Sequence, residues 1–284
     1  MDRVLSTYRW CGQPLTLALI ADIAGGGNAS IEVFCAHNHF NYASPQSVRE
    51  LSDWLRDHAV TIHSLHAPTE RESVSGHGSG APISIADTER VRRLDAVDEV
   101  KRALDVAERI PFRYLVQHLA HGRQSADPRR RDAAFNSLEH LVIFAKQRGV
   151  TIALENTPGE LTSPESLSSL VLETHLNDLR FCIDVGHAHL EDGVASAVEV
   201  MRDRIVTTHL HDNHGDSDEH LLPYEGTIDW PETVRLLGSA PNSIPLVLEL
   251  KEQASGGPSM SQVRAAFDRL EQEIEDERAR SPES

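Results

Sequence analysis

Residues 150–189 read VTIALENTPGELTSPESLSSLVLETHLNDLRFCIDVGHAH. A short β-branched run, VTIALEN, gives way to Ser163-Pro164, which opens the longer stretch ESLSSLVLETH, and a second apolar run, LRFCIDV, follows. Serine is a preferred helix cap and proline suits the first helical turn, so the middle piece reads as a helix between two strands. A strand–helix–strand unit of this kind joins parallel strands. Both apolar runs also close on a carboxylate, Glu155 and Asp184.

The same alternation extends in both directions. The other strand candidates are RVLSTY from Arg3, SIEVFC from Ser30, VTIHSLH from Val60, FRYLVQH from Phe112, RIVTTHL from Arg204 and IPLVLEL from Ile244. A second Ser-Pro pair, Ser44-Pro45, opens QSVRELSDWLRDHA. Eight units in 284 residues predict a (β/α)8 TIM barrel of α/β class, a single domain over 1–284. The charged tail EQEIEDERARSPES is expected to fray from about residue 270. The Gly/Ser-rich patch SVSGHGSGAP from Ser73 falls after the third strand, where such a barrel carries an active-site loop.

Composition narrows the function. Lys and Arg total 27 against 44 Asp and Glu, a net charge of −17, so the surface repels polyanions and nucleic acid is not an expected partner. The three cysteines, Cys11, Cys35 and Cys182, have no paired spacing, which suits a reducing compartment and an expected cytoplasmic location. No apolar run reaches the length of a membrane span, and the start MDRVLSTYRW lacks the pattern of a signal peptide. A homo-oligomer stays open.

In a barrel of this type the catalytic face lies at the C-terminal ends of the strands. Strand three ends in His66, strand four in His118, strand five in Glu155, strand six in Asp184 with His187 just beyond, strand seven in His209 and strand eight in Glu249. Buried carboxylates and imidazoles converging on one rim need compensation, and a cation supplies it. Imidazole plus carboxylate suits Zn, Mn, Fe or Co, and no thiolate joins the set to make a closed structural zinc site. Beyond strand seven, Asp218 and His220 stand two apart and can reach the same ion, whereas His211, His214 and Asp216 read as a solvated acidic loop. Glu32, a charge inside strand two, either orients a ligand histidine or lies at the strand end in water. Asn156 is a substrate contact or a turn residue.

These motifs resemble the xylose-isomerase-like barrel superfamily, which holds sugar phosphate isomerases and epimerases and the abasic-site nuclease endonuclease IV. The pieces that carry the resemblance are LEN (154–156), DVGHAH (184–189), HLHD (209–212), DEH (218–220), YEGTIDW (224–230) and LELK (248–251). The resemblance implies one metal held by Glu155, Asp184, His209 and Glu249, as in the epimerases. The nuclease pattern implies two further ions, with His66 and His118 as added ligands on one side and His187, Asp218 and His220 on the other. The cofactor expected is therefore a divalent ion, Zn2+ or Mn2+, at one to three per chain.

The acidic balance departs from the nuclease pattern, and only Arg71 and Arg123 stand near the rim to grip a phosphate. The expected activity is metal-dependent isomerisation or epimerisation of a sugar or sugar phosphate. The metal polarises a carbonyl, Glu155 and Glu249 transfer protons and His187 holds a substrate hydroxyl. If both glutamates act only as ligands, a water does the proton work. The alternatives are a multinuclear zinc phosphodiesterase acting on abasic DNA, or a lyase or hydrolase of oxidised sugars.

Overall fold

The computed structural model describes residues 2–71, 80–252 and 256–280. Residues 73–79 of the expected active-site loop and 281–284 of the tail lie outside them. The strands are β1 (Arg3–Ser6), β2 (Ser30–Phe34), β3 (Thr61–His66), β4 (Tyr114–Gln117), β5 (Thr151–Glu155), β6 (Arg180–Asp184), β7 (Ile205–His209) and β8 (Leu246–Leu248). They form one parallel sheet in the order β7-β6-β5-β4-β3-β2-β1-β8. Between them run α1 (Leu17–Gly25), α2 (Pro45–His58), α3 (Arg90–Asp105), α4 (Pro128–Lys146), α5 (Pro164–Thr174), α6 (Val185–His189), α7 (Val194–Met201) and α8 (Trp230–Gly238), and α9 (Met260–Arg280) follows β8. This is a single (β/α)8 TIM barrel.

The caps follow the local chemistry. Ser163 Oγ accepts from the Ser166 N–H at 3.2 Å and Ser44 Oγ from the Ser47 N–H at 3.3 Å, each with proline in the first turn. The fourth and eighth strands are shorter than their apolar runs, so His118 and Glu249 sit one residue past the last paired position. α9 stays helical to Arg280 with Leu270 and Ile274 buried, so the charged tail does not fray where the sequence alone placed its onset. Its apolar stripe packs on the barrel, and packing outweighs the charge around it.

The β7–β8 seam closes the barrel through a single parallel bridge, Leu210 to Leu248. Leu210 N–H donates to Val247 O at 2.8 Å, and Thr208 Oγ donates to Pro245 O at 2.9 Å. That closure sets His209 and Glu249 side by side at the rim.

Near the same rim a neutral histidine ties the loops after β1 and β2. His39 Nδ1–H donates to Gln13 O at 2.7 Å while Nε2 accepts from Thr7 Oγ1, which itself accepts from the Phe34 N–H. Burial pushes the His39 pKa down from its ordinary value. The unfolded chain takes up this proton near pH 6.5 and the folded chain resists it, so stability is expected to fall as pH drops below about 6.5. The expected slope is at most about 1.4 kcal/mol per pH unit from this group. Urea titrations at pH 7.5 and 5.5 check it: His39→Gln should narrow the difference between the two pH values, and an unchanged difference would clear His39 of the effect.

Candidate metal centre

Side-chain alternation along the strands turns every second residue into the barrel, and at the rim these inward residues are the acids and histidines. Glu155, Asp184, His209 and Glu249 are almost completely buried, and one donor atom of each lies within 4.8 Å of the others. His209 Nδ1 is 3.3 Å from Glu155 Oε1, 3.8 Å from Asp184 Oδ2 and 3.5 Å from Glu249 Oε2. It is a buried nitrogen with no hydrogen-bond partner. An unpartnered imidazole nitrogen facing three carboxylates is a costly arrangement alone and a good one around a cation. The residues present therefore fit a divalent ion.

Two further groups flank this one, and the buried Cys182 Sγ lies within 4.8 Å of donor atoms of Glu155 and His209, a cysteine beside the set where none was expected. On one side, His118 Nε2 and His66 Nε2 lie 2.9 and 3.3 Å from Glu155 Oε2, so Glu155 belongs to both groups. On the other, His187, His211, Asp218 and His220 form a set with Asp218 Oδ2 at 3.0 Å from His220 Nε2 and 3.5 Å from His187 Nε2. All nine residues expected from the sequence as ligands fall in these three groups.

Electrostatics follows the same geometry. Burial alone would raise the pKa of Glu155, but His118 and His209 hold it well below the usual carboxylate range. Burial alone would lower His209 and His187. The groups around them outweigh it, Cys182 and Glu249 for the former and Asp184 and Asp218 for the latter, and both stand well above the ordinary histidine value. Negative oxygens surround each ring, which is the field that favours a bound cation as well as a proton.

Two single residues depart from expectation, and for Glu32 the structure decides between the two alternatives. His211, expected in a solvated loop, is fully buried, 3.1 Å from Asp184 and stacked on His220 with ring centroids 3.9 Å apart. Gly186 makes this possible, since a Cβ there would lie 2.0 Å from His211 Cε1. Two residues past His209, His211 keeps the inward phase of the strand, which is the signal that a reading of loop polarity overlooks. His214 and Asp216 are exposed as expected, and His214 Nδ1 lies 2.9 Å from Glu219 Oε2.

Asn156 is not in a turn; it is buried and is not part of the cavity wall. Its side chain exchanges two hydrogen bonds with the Asp184 backbone, at 2.8 and 2.9 Å, and its carbonyl accepts from His187 Nδ1–H at 3.0 Å. Glu32 is fully buried, away from water, with His209 Nε2 3.1 Å from its Oε1.

Members of all three groups line a cavity of about 290 Å3, Glu155 and Glu249 from the central one, whereas Asp184, His209 and His211 are not part of its wall. Tyr8 and Phe34 form an apolar side wall, with ring centroids 5.0 Å apart, and Phe34 stacks on His66 at 4.6 Å. Among the described residues that line it, Arg123 alone is an Arg or Lys, and Glu191 holds it at 2.6 Å. Arg71 lies outside the cavity wall, paired with Asp95 at 3.1 Å.

The class defined here is a parallel (β/α)8 barrel whose C-terminal rim gathers carboxylates and imidazoles beside a small cavity. The profile of the xylose isomerase-like TIM barrel matches residues 20–273, and the chain belongs to that family. An uncharacterized protein of Methanocaldococcus jannaschii is 31% identical over 216 residues, which is 72% of this chain and 69% of that protein.

Among solved structures, a D-tagatose 3-epimerase-like protein superposes with a TM-score of 0.80 at 23% identity, covering 97% of this chain and 99% of the other. An L-ribulose 3-epimerase gives 0.79 at 14% identity over 98% and 96%. At such identities the likeness speaks to the fold. Among the described residues no helix is long and apolar enough to cross a membrane.

Proposed function

We propose that this chain is a divalent-metal-dependent isomerase or epimerase of a small sugar or sugar phosphate. The observation that carries the reading is the convergence of Glu155, Asp184, Glu249 and the unpartnered Nδ1 of His209, with Glu155 and Glu249 lining a cavity sized for a monosaccharide. Those four residues would hold the ion, Zn2+ or Mn2+. When bound, it supplies polarisation of a carbonyl and its neighbouring hydroxyl, which acidifies the adjacent C–H.

The chain's own residues do the rest. Glu155 and Glu249 lie 3.3 and 3.5 Å from His209 Nδ1 and would flank a bound ketose, one taking a proton from carbon and the other returning it. His187, with Nε2 toward Asp218 at the cavity wall, would hold a substrate hydroxyl. Tyr8 and Phe34 offer an apolar face to sugar C–H groups and exclude water from one side. The net charge of −17 and the scarcity of cationic side chains in the cavity favour a small substrate over a polyanion. The epimerases among the structural neighbours support the same choice.

The test is a panel of ketoses and ketose phosphates in D2O with the Mn2+- or Zn2+-loaded protein. Deuterium is expected at the carbon beside the carbonyl, lost on chelation and regained on adding metal back. A panel with no exchange would overturn the proposal.

One observation favours a second reading. The flanking groups, His66–His118–Glu155 and His187–His211–Asp218–His220, provide for two more ions, as a multinuclear phosphodiesterase needs. Three ions per chain together with cleavage of abasic duplex DNA would establish it in place of the first.

A further inference from the structure

A charged residue in the middle of a barrel strand is expensive to bury, and Glu32 is fully buried. The β2–β3 register shifts between Ile31 and Glu32, which brings Glu32 opposite Ser64 and turns its carboxylate into the barrel. Ser64 Oγ–H donates to Oε2 at 2.7 Å. His209 Nε2 lies 3.1 Å from Oε1 and 3.3 Å from Oε2, a contact that spans the barrel from β7 to β2. Neither contact reaches the cavity, and Glu32 is not among its lining residues.

A neutral imidazole carries one N–H and one bare nitrogen, and the hydrogen bond made by the first decides which nitrogen is free. A carboxylate accepts and never donates, so the ring must present N–H at Nε2. Nδ1 is then the bare nitrogen, and it is the one that faces Glu155, Asp184 and Glu249. We infer that Glu32 is a positioning residue that keeps a proton on His209 Nε2 and fixes the ring orientation, so that Nδ1 is the nitrogen that gives up its proton to a metal. The buried charge is compensated by Ser64 and His209, and in return it makes the imidazole a stronger donor. The inference rests on the reading of His209 as a ligand.

The test compares metal-free wild type, Glu32→Gln and Ser64→Ala in competition with a chromophoric chelator for Zn2+. Glu32→Gln keeps the size of the side chain but can donate an N–H to Nε2, which drives the proton to Nδ1 and blocks the ligand position. Its Zn2+ affinity at the central site is expected to fall about 10- to 100-fold, with Ser64→Ala falling less. An unchanged affinity in Glu32→Gln overturns the inference.

Nitrogen-15 NMR of histidine-labelled, metal-free wild type gives a readout that needs no Glu32 variant. At a pH high enough for the ring to be neutral, the His209 signal, assigned by its loss in His209→Asn, should show Nε2 protonated and Nδ1 bare. The opposite tautomer overturns the inference, even if Glu32→Gln does not fold. A wild type that binds no ion fails the metal reading itself, whereas tight binding that ignores the substitution fails only the role given to Glu32.

Discussion

Replacing Glu155 by glutamine is expected to lower turnover by about 10³-fold or more while leaving the barrel folded. Glu155 is the shared member of the central and His66–His118 groups. Its Oε2 faces His118 and His66 at 2.9 and 3.3 Å, and its Oε1 faces His209 and His187 at 3.3 and 3.4 Å. Glutamine has the same volume, so the packing survives. It carries no charge, however, and sets an NH2 where a lone pair was required. The centre then loses a ligand shared by two groups and one of its two proton-transfer groups at once.

Deuterium exchange on the best ketose substrate, elemental analysis and thermal melting together check this. Metal content should drop and the melting temperature of the metal-free protein should hold. Turnover above a tenth of wild type would remove Glu155 from the chemistry.

The second large effect concerns stability. Asp212 is fully buried and its two oxygens accept four hydrogen bonds. The Asn213 N–H donates at 2.9 Å, the Tyr224 N–H at 3.0 Å, the Ile228 N–H at 3.2 Å and Trp230 Nε1–H at 2.7 Å. Asp212→Ala strands all four donors inside the protein. Removing the acceptor from such a buried network costs roughly 3–5 kcal/mol.

The same residue anchors the loop that carries Asp218 and His220, so its loss should also weaken ion binding at the His187–His211–Asp218–His220 group. Gly226 belongs to the same clasp, because a Cβ there would stand 2.3 Å from Asp212 Oδ1. Urea denaturation of wild type and Asp212→Ala measures the effect. A difference under about 1 kcal/mol would mean that water replaces the carboxylate, against the burial seen here.

These two residues mark where sequence reading succeeds and where it stops. Glu155 is legible because it ends an apolar run in a chain of strand–helix units, and the barrel geometry then sends it to the rim. Asp212 lies in the quoted HLHD motif, yet nothing local shows that its partners are Tyr224, Ile228 and Trp230, brought back by the loop between β7 and α8. His211 was hidden for a related reason. Its neighbourhood in the chain is polar, and only the absence of a side chain at Gly186, on a different strand–helix turn, makes room for the ring.

The chain by itself determined the architecture and the composition of the rim. Short apolar, β-branched runs alternating with capped helices specify parallel strands, and the end of each run identifies the residue it presents. Tertiary structure alone decided which donors share an ion, that Glu32 meets His209 across the barrel, and that His211 is buried. Those are distances between residues far apart in sequence, set by strand register, by the closure of β7 on β8 and by steric room. No pattern along one segment encodes them.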